Sequence, residues 1–124
     1  MNLFINSINT SNEIKLQLGT RTKSITLVYS DIPIPSDYKF DIIKIRISNL
    51  SNNVFINGLK TNDIFIIPVQ CALGYRNITT PNPTYNTLTM PRNNTLSSLV
   101  IGLYDMNDNL MVLDSKFTIH LYIQ

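Results

Sequence analysis

Residues 104–111, YDMNDNLM, place four oxygen-bearing side chains within five positions: Asp105, Asn107, Asp108 and Asn109. Carboxylate and carbonyl oxygens are the ligands that Ca²⁺ prefers, so this segment is the first place to look for an ion site. An EF-hand loop beginning at Asp105 needs glycine at its sixth position and glutamate at its twelfth. This chain has Leu110 and Lys116 there. The spacing therefore excludes an EF-hand.

Two interpretations of this segment remain, a weaker nonstandard ion site and a turn. Aspartate and asparagine accept hydrogen bonds from nearby backbone groups and tolerate left-handed geometry, which makes them common in turns. The flanking residues alternate as strands do. We therefore predict that Met106 to Asn109 close a hairpin between the last two strands, and we expect no metal ion and no cofactor.

His120 is the only histidine of the chain. It alternates with Ile119 and Leu121, which places it on the outer face of a strand beside Thr118 and Tyr122. Serine and aspartate are plentiful, so a Ser-His-Asp arrangement stays open. However, the chain has no Gly-x-Ser-x-Gly nucleophile elbow, and its acidic residues offer no carboxylate pair of the glycosidase kind. We predict that the protein is not an enzyme.

The composition narrows the classes of partner. The single cysteine, Cys71, excludes an intrachain disulfide and a Cys/His zinc cluster. The net charge is +2 and the basic residues are scattered, so we expect no nucleic-acid partner. The chain has no long apolar run and its first residues lack the basic start of a signal peptide, so we expect no membrane span and no signal peptide. Only 15% of residues are charged, which suits a surface that packs into an assembly.

The apolar residues alternate with period two along most of the chain, which is typical of strands with one buried face. Helix formers are scarce, with one alanine and one glutamate. Seven to nine short strands indicate a sandwich or a barrel. We predict one all-β domain, residues 1–124, folded as a single antiparallel β-sandwich. The clearest strands are in EIKLQLG, SITLVYS with Ile25, Leu27 and Tyr29 inward, YKFDIIKIRIS, LSSLVIGLYD and KFTIHLYIQ.

Three segments depart from simple alternation. Phe40 and Ile42 share one parity and Ile43 begins the other, so we expect a bulge near Ile42 or Ile43. The run DIFIIPVQCAL is dense enough to be buried on both faces, with Pro68 limiting the strand. Residues 74–94 are rich in proline, asparagine and threonine, which predicts a long loop of functional or interfacial use.

Tyr75 and Tyr85 lie in this predicted loop and are the residues we single out for interaction. Tyrosine rings in such a position can stack on sugars or insert into a neighbouring subunit. The alternative is that both are ordinary, half-buried anchors of the loop.

Two parts of the chain resemble known virion proteins. Residues 96–124, LSSLVIGLYDMNDNLMVLDSKFTIHLYIQ, are similar to the C-terminal signature of virion proteins from polinton-like and adintovirus-like elements and related large DNA viruses. The segments EIKLQLG, SITLVYS and YKFDIIKIRISNLSNNV resemble the opening strands of that family, with Tyr38 and Phe40 in its aromatic positions. Where the family usually has a glycine in the polar turn, this chain has Asp108. The chain is also shorter than most members, which favours a single sandwich over a double one.

The resemblance implies a jelly-roll-like capsid protein or minor virion component. It also implies that the protein assembles by symmetric contacts and has no catalytic residue. Our leading hypothesis is a non-enzymatic viral structural protein, made in the host cell and located in the virion. It would form a homo-oligomer or bind other virion proteins through loops and sheet edges. The alternative is a β-sandwich module that binds a glycan or a protein through Tyr75, Tyr85 and neighbouring asparagines.

Overall fold

The computed structural model describes residues 1–7, 14–17, 22–47, 55–56, 59–60, 63–82, 87–89, 98–113 and 115–124. These residues form strands and connections and contain no helix, so the predicted all-β class is confirmed. The strands in chain order are β1 (Asn2–Ser7), β2 (Ile14–Gln17), β3 (Ser24–Pro33), β4 (Ile42–Ile47), β5 (Phe55–Ile56), β6 (Leu59–Lys60), β7 (Asp63–Pro68), β8 (Arg76–Thr79), β9 (Thr87–Thr89), β10 (Ser98–Tyr104) and β11 (Phe117–Ile123).

Two antiparallel sheets pack against each other as the layers of a sandwich. Sheet A has the order β1-β11-β3-β8, and β9 pairs with the other half of β3. Sheet B has the order β2-β10-β4-β7. The strands β5 and β6 form a separate two-stranded hairpin in which Ile56 pairs with Leu59.

The strand pairs are nested along the chain. The strand β1 pairs with β11, β2 with β10, β3 with β8, and β4 with β7, always antiparallel. Further ladders between β11 and β3 and between β10 and β4 join these pairs into the two sheets. The nesting brings the β3–β4, β7–β8 and β10–β11 connections to one end of the sandwich, which we call the loop end.

The core lies between the inner faces of the two sheets. Isoleucine and leucine dominate it because their branched side chains fill the space between pleated faces. Burying one such side chain contributes about 1.5–3 kcal/mol. The fully buried apolar side chains include Ile25, Leu27, Ile32, Ile34, Ile43, Ile45, Ile47, Ile67, Leu99, Ile101, Leu113, Phe117, Ile119 and Leu121.

The prediction that Tyr29 points inward was wrong. The register between β3 and β11 shifts where Leu27 pairs with Leu121 and Tyr29 pairs with His120, so Val28 is an extra residue in β3. This bulge turns Tyr29 to the outer face and brings Ser30 into the core.

The predicted bulge near Ile42 or Ile43 was also wrong. The pairing of β4 with β7 runs without a shift from Ile42 to Ile45, and the shift follows between Ile45 and Arg46. Phe40 lies in the connection before β4, where it packs against the core without belonging to the strand.

The run DIFIIPVQCAL is not buried on both faces. The strand β7 ends at Pro68, as expected, and Phe65 and Ile67 are buried. Ile66, between them, is 50% exposed. The reason is that Ile66 alternates with Phe65 and Ile67 and so points to the outer face of sheet B. The strand β7 pairs only with β4 among the described strands, so it also lies at the edge of that sheet.

The predicted loop 74–94 contains two short strands, β8 and β9, both paired with β3. Their sequences, RNIT and TLT, are polar and short, so they lack the alternation of a long amphipathic strand. A strand at a sheet edge needs only one row of partners, and short polar edge strands are common for that reason. Within the described residues, no helix is long and apolar enough to cross a membrane.

Candidate interaction surface at the loop end

Backbone hydrogen bonds between distant parts of the chain hold the loop end together. The Ile34 amide donates to the Tyr75 carbonyl at 3.0 Å, and the Gly74 amide donates to the Ile34 carbonyl at 2.8 Å. The Val69 amide donates to the Asp41 carbonyl at 2.8 Å. These bonds join the β3–β4 and β7–β8 connections, so the exposed side chains between them are held by a fixed backbone.

The buried side chain of Asn77 holds the start of the β7–β8 connection. This side chain of β8 is fully buried, and its Oδ1 accepts a 2.7 Å hydrogen bond from the Gln70 amide. Its Nδ2 donates to the Pro68 carbonyl at 3.3 Å and to the Thr79 hydroxyl at 3.2 Å. Because Pro68 ends a strand of sheet B and Asn77 belongs to sheet A, one amide links the two layers beside Tyr75.

The segment YDMNDNLM forms a turn closed by the side chain of Asp105. Its Oδ1 accepts the amides of Asn107 at 2.9 Å and Asn109 at 3.0 Å. The Asp105 amide donates to the Asn109 carbonyl at 2.9 Å. Among the described residues, no three histidine, cysteine, aspartate or glutamate side chains are grouped to hold a metal ion. The hydrogen bonds to Asp105 confirm that Met106 to Asn109 form a turn.

The prediction that this turn joins the last two strands as a hairpin was wrong. The Met111 amide donates to the Leu103 carbonyl at 2.8 Å, and Tyr104 bridges to Leu110, so the turn closes on itself. The strands on either side then separate, because β10 belongs to sheet B and β11 to sheet A. The turn is thus one part of a connection between the two layers.

Asp108 occupies a strained position in this turn. Its φ of 65° lies in the left-handed region, where glycine is favoured and aspartate is tolerated. Its Oδ1 is 3.1 Å from the Lys44 Nζ and 2.5 Å from the Arg46 Nη2. Hydrogen bonds from Lys44 and then from Arg46 lower the pKa of Asp108. The Arg46 guanidinium also lies 4.2 Å from the ring centre of Tyr104, so β4 anchors the turn by charge and by a cation–π contact.

Tyr38 anchors the β3–β4 connection. Its hydroxyl donates to the Ile42 carbonyl, and its ring meets Phe40 edge-on at 5.6 Å between ring centres. Burial, with a smaller contribution from the negative charge of Asp105, raises the pKa of Tyr38 to about 12. The phenol therefore stays protonated at neutral pH and acts as a fixed hydrogen-bond donor.

Two open clefts lie side by side at the loop end. The larger has a volume of about 660 Å³ and the smaller about 260 Å³. Both are bordered by Pro35, Asp37 and Val112. The larger cleft is also lined by Gly74, whose φ of 84° gives the β7–β8 connection its sharp turn. Among the described residues that line the two clefts there is no histidine and no cysteine.

Exposed apolar side chains lie in the connections that border the larger cleft. Tyr75 is 69% exposed and Val112 is 68% exposed, and Leu73 beside Gly74 is half exposed. We call these three residues the loop-end apolar patch. From the sequence we predicted a role in interaction for Tyr75 but not for Leu73 or Val112. Val112 was detectable, because an apolar residue between two inward neighbours, Met111 and Leu113, must point outward. Tyr85 lies outside the described residues.

The outer face of sheet A carries a second set of aromatic side chains. His120 lies on this face beside Thr118 and Tyr122, as predicted. The His120 ring stacks on Phe4 with 4.1 Å between ring centres and 17° between planes. The His120 Nε2 lies 3.0 Å from the Asn2 Oδ1. No described group near His120 completes a catalytic triad in these contacts.

A scan against protein-family models and a search of curated proteins both found no match to this chain.

Proposed function

We propose that this protein is a non-enzymatic structural component of a virus particle. It is a capsid protein or minor virion component that forms a homo-oligomer or binds other virion proteins through its loop end and sheet edges. The proposal combines the resemblance of residues 96–124 to virion proteins with a strand order and a surface that suit assembly.

The strand order supports a jelly-roll topology. In the nested arrangement, the first strand pairs with the last and each following strand pairs one step further in. A long antiparallel hairpin that wraps into two sheets has this order, and it contains the two Greek keys of a jelly roll. Jelly rolls occur in viral capsids, lectins and cupins, so the topology agrees with the proposal without selecting it.

The observation that carries the proposal is the loop-end apolar patch. Interface centres are enriched in tyrosine and other large apolar residues and depleted in charge. Leu73, Tyr75 and Val112 are uncharged and exposed. Hydrogen bonds between the β3–β4 and β7–β8 connections fix the backbone around Leu73 and Tyr75 before any partner binds. A preformed surface loses less conformational entropy on association, which favours binding.

The edge of sheet B offers a second contact. A strand at a sheet edge presents unpaired backbone groups that can pair with another chain. Ile66 adds an exposed apolar side chain to β7 in the middle of this edge. The strand β7 has Asp63 and Pro68 at its two ends, and the four residues between them, IFII, carry no charge. Charge and proline, which oppose pairing at a sheet edge, therefore flank this apolar segment and do not interrupt it.

Size-exclusion chromatography with light scattering tests the proposal. The mass of the purified chain should rise with concentration toward a defined multiple of 14.1 kDa. Electron microscopy of the largest species should show a closed or regular assembly. A chain that stays monomeric at every concentration, and that is also absent by mass spectrometry from particles purified from its source, would contradict the proposal.

A further inference from the structure

The outer face of sheet A has a chemistry different from that of the loop end. Its outward strand positions hold three exposed or half-buried aromatic rings and one imidazole, with hydroxyl and amide groups around them. We call this surface the aromatic face. Its central members are Phe4, Tyr29, His120 and Tyr122, and its polar members are Asn2, Thr26, Thr87 and Thr118.

The rings occupy neighbouring outward positions on three strands. In the ladders, Phe4 of β1 pairs with His120 of β11, which in turn pairs with Tyr29 of β3. Tyr122 lies two residues beyond His120, about 7–8 Å from Phe4 as a diagonal cross-strand neighbour. The stack on His120 uses one side of the Phe4 ring, and the Phe4 side chain is 62% exposed. Tyr122 is 39% exposed.

The polar groups on this face lie close to the rings. Asn2 contacts the His120 Nε2 at 3.0 Å and pairs across the ladder with Tyr122. The hydroxyls of Thr26 and Thr87 are 2.8 Å apart on the far side of Tyr122. Hydroxyl and amide groups can each donate and accept hydrogen bonds, so this arrangement suits a ligand that carries hydroxyl groups.

The face is almost free of unbalanced charge. Along the outward positions of the described strands in sheet A, the charged side chains are Asp31 and Arg76. The Arg76 Nε lies 2.7 Å from the Asp31 Oδ1, so these two charges neutralise each other. The electrostatic character of the face therefore matches an uncharged ligand.

We propose that the aromatic face binds a neutral oligosaccharide. A pyranose ring has an apolar face of C–H groups, which packs on an aromatic ring, and a rim of hydroxyls, which bonds to side chains such as Asn2 and Thr26. Phe4 and Tyr122 supply the two stacking surfaces. This inference goes beyond the proposed structural role and uses a surface separate from the loop-end apolar patch.

Other ligand classes fit this face less well. Single-stranded nucleic acid also stacks on aromatic rings, but it needs a positive groove along its phosphates, and the one arginine here is neutralised. A protein partner favours a dry apolar centre. Here Phe4, Tyr122 and the polar groups alternate, and only Phe4 lacks a polar atom among the four central rings.

Isothermal titration of the full chain tests the proposal, with maltotetraose, chitotetraose and poly-lactosamine as neutral probes and sialyllactose and sulfated lactose as charged probes. At least one neutral probe should bind. Phe4→Ala and Tyr122→Ala should each weaken that binding roughly tenfold, about 1.4 kcal/mol. The variants Phe4→Tyr, which keeps the ring, and Tyr75→Ala, at the loop end, should bind as the unchanged protein does.

Three results would overturn the proposal. The first is no binding by any neutral probe at millimolar concentration, and the second is binding of charged probes alone. The third is a change of oligomeric mass in Phe4→Ala or Tyr122→Ala, because the face would then be a contact between protein chains. Thermal unfolding of each variant distinguishes lost binding from lost folding. Phe4→Tyr retains the ring, so it should fold and bind as the unchanged protein does.

Discussion

The loop end and the aromatic face both expose tyrosine, but the chain builds them in different ways. On the aromatic face, each side chain is placed by alternation along β1, β3 and β11, and the ladders between these strands set the spacing. At the loop end, Tyr75 is placed by backbone bonds to Ile34 and by the buried amide of Asn77. The first surface depends on periodicity, and the second depends on a few specific hydrogen bonds. Single substitutions should therefore affect the two surfaces differently.

The largest expected effect is at Asn77. Asn77→Ala removes the acceptor of the Gln70 amide and two donated hydrogen bonds, which should lower the free energy of unfolding by about 1–3 kcal/mol. Denaturant unfolding measures this loss. Amide exchange should accelerate more at residues 69–75, which contact Asn77 directly, than in β1 and β11, where only the loss of global stability acts.

Asn77→Asp is the matched variant, since it keeps the oxygen that accepts from Gln70 and loses the donor to Pro68. A carboxylate oxygen would then face the Pro68 carbonyl in a fully buried site, so the stability of this variant should be no higher than that of Asn77→Ala. If Asn77→Ala accelerated amide exchange equally at residues 69–75 and in β1 and β11, the distinction between the two surfaces would be contradicted.

A smaller effect of opposite sign is expected at Ser30, beneath the aromatic face. Its hydroxyl is fully buried and has no hydrogen-bond partner among the described atoms. Ser30→Ala removes that unsatisfied group and should raise the free energy of unfolding by up to about 1 kcal/mol. Chemical denaturation measures the gain, and Ser36→Ala, at an exposed site of the loop end, is the control that should change nothing. A loss of stability in Ser30→Ala would show that the hydroxyl is needed at the bulge.

The smallest effect is expected at Asp108, where the ion pairs to Lys44 and Arg46 are exposed and screened by salt. Its pKa is lower in the folded chain than the ordinary 3.8. The unfolded chain therefore binds the proton first as pH falls, so the stabilisation is complete above that value and is lost below it. The free energies of unfolding of the unchanged protein and Asp108→Asn should differ at pH 6, and the difference should shrink as the pH falls below 3.8.

Asp108→Gly separates charge from backbone strain at the same position. Glycine adopts the left-handed φ of 65° without cost, so at low pH this variant should be more stable than Asp108→Asn. A constant difference between the unchanged protein and Asp108→Asn across the whole pH range would show that the ion pairs contribute nothing.

Alternation was enough to predict the sandwich and the outward position of His120, because strand parity is a local property. Alternation failed where pairing with another strand, or hydrogen bonds to distant residues, decide which side chains are buried. Nothing in SITLVYS marks Val28 as the extra residue, since Tyr29 fits the inward parity well, and the bulge follows from the ladder with β11. The edge strand β8 was missed because its buried member, Asn77, is polar, and its partners Gln70 and Pro68 belong to another layer.

The candidate site was predictable to a smaller extent. Tyr75 was singled out from the composition of its surroundings, and the turn at Asp105 from the preferences of aspartate and asparagine. The loop-end apolar patch was not predicted as a unit, because Leu73 and Val112 are far apart in the chain and only the topology brings their connections to the same end of the sandwich. Nested strand pairing, which brings these connections to one end, cannot be read from alternation.

Light scattering of two matched variants tests most directly whether subunits meet at the loop end. Tyr75→Ala with Val112→Ser removes the exposed centre of the loop-end apolar patch, and Tyr122→Ala removes a tyrosine from the aromatic face. We expect the mass of the variant with Tyr75→Ala and Val112→Ser to stay at 14.1 kDa at concentrations where the unchanged chain and Tyr122→Ala both assemble. Assembly of the loop-end variant to the same mass as the unchanged chain would contradict the claim that subunits meet at the loop end.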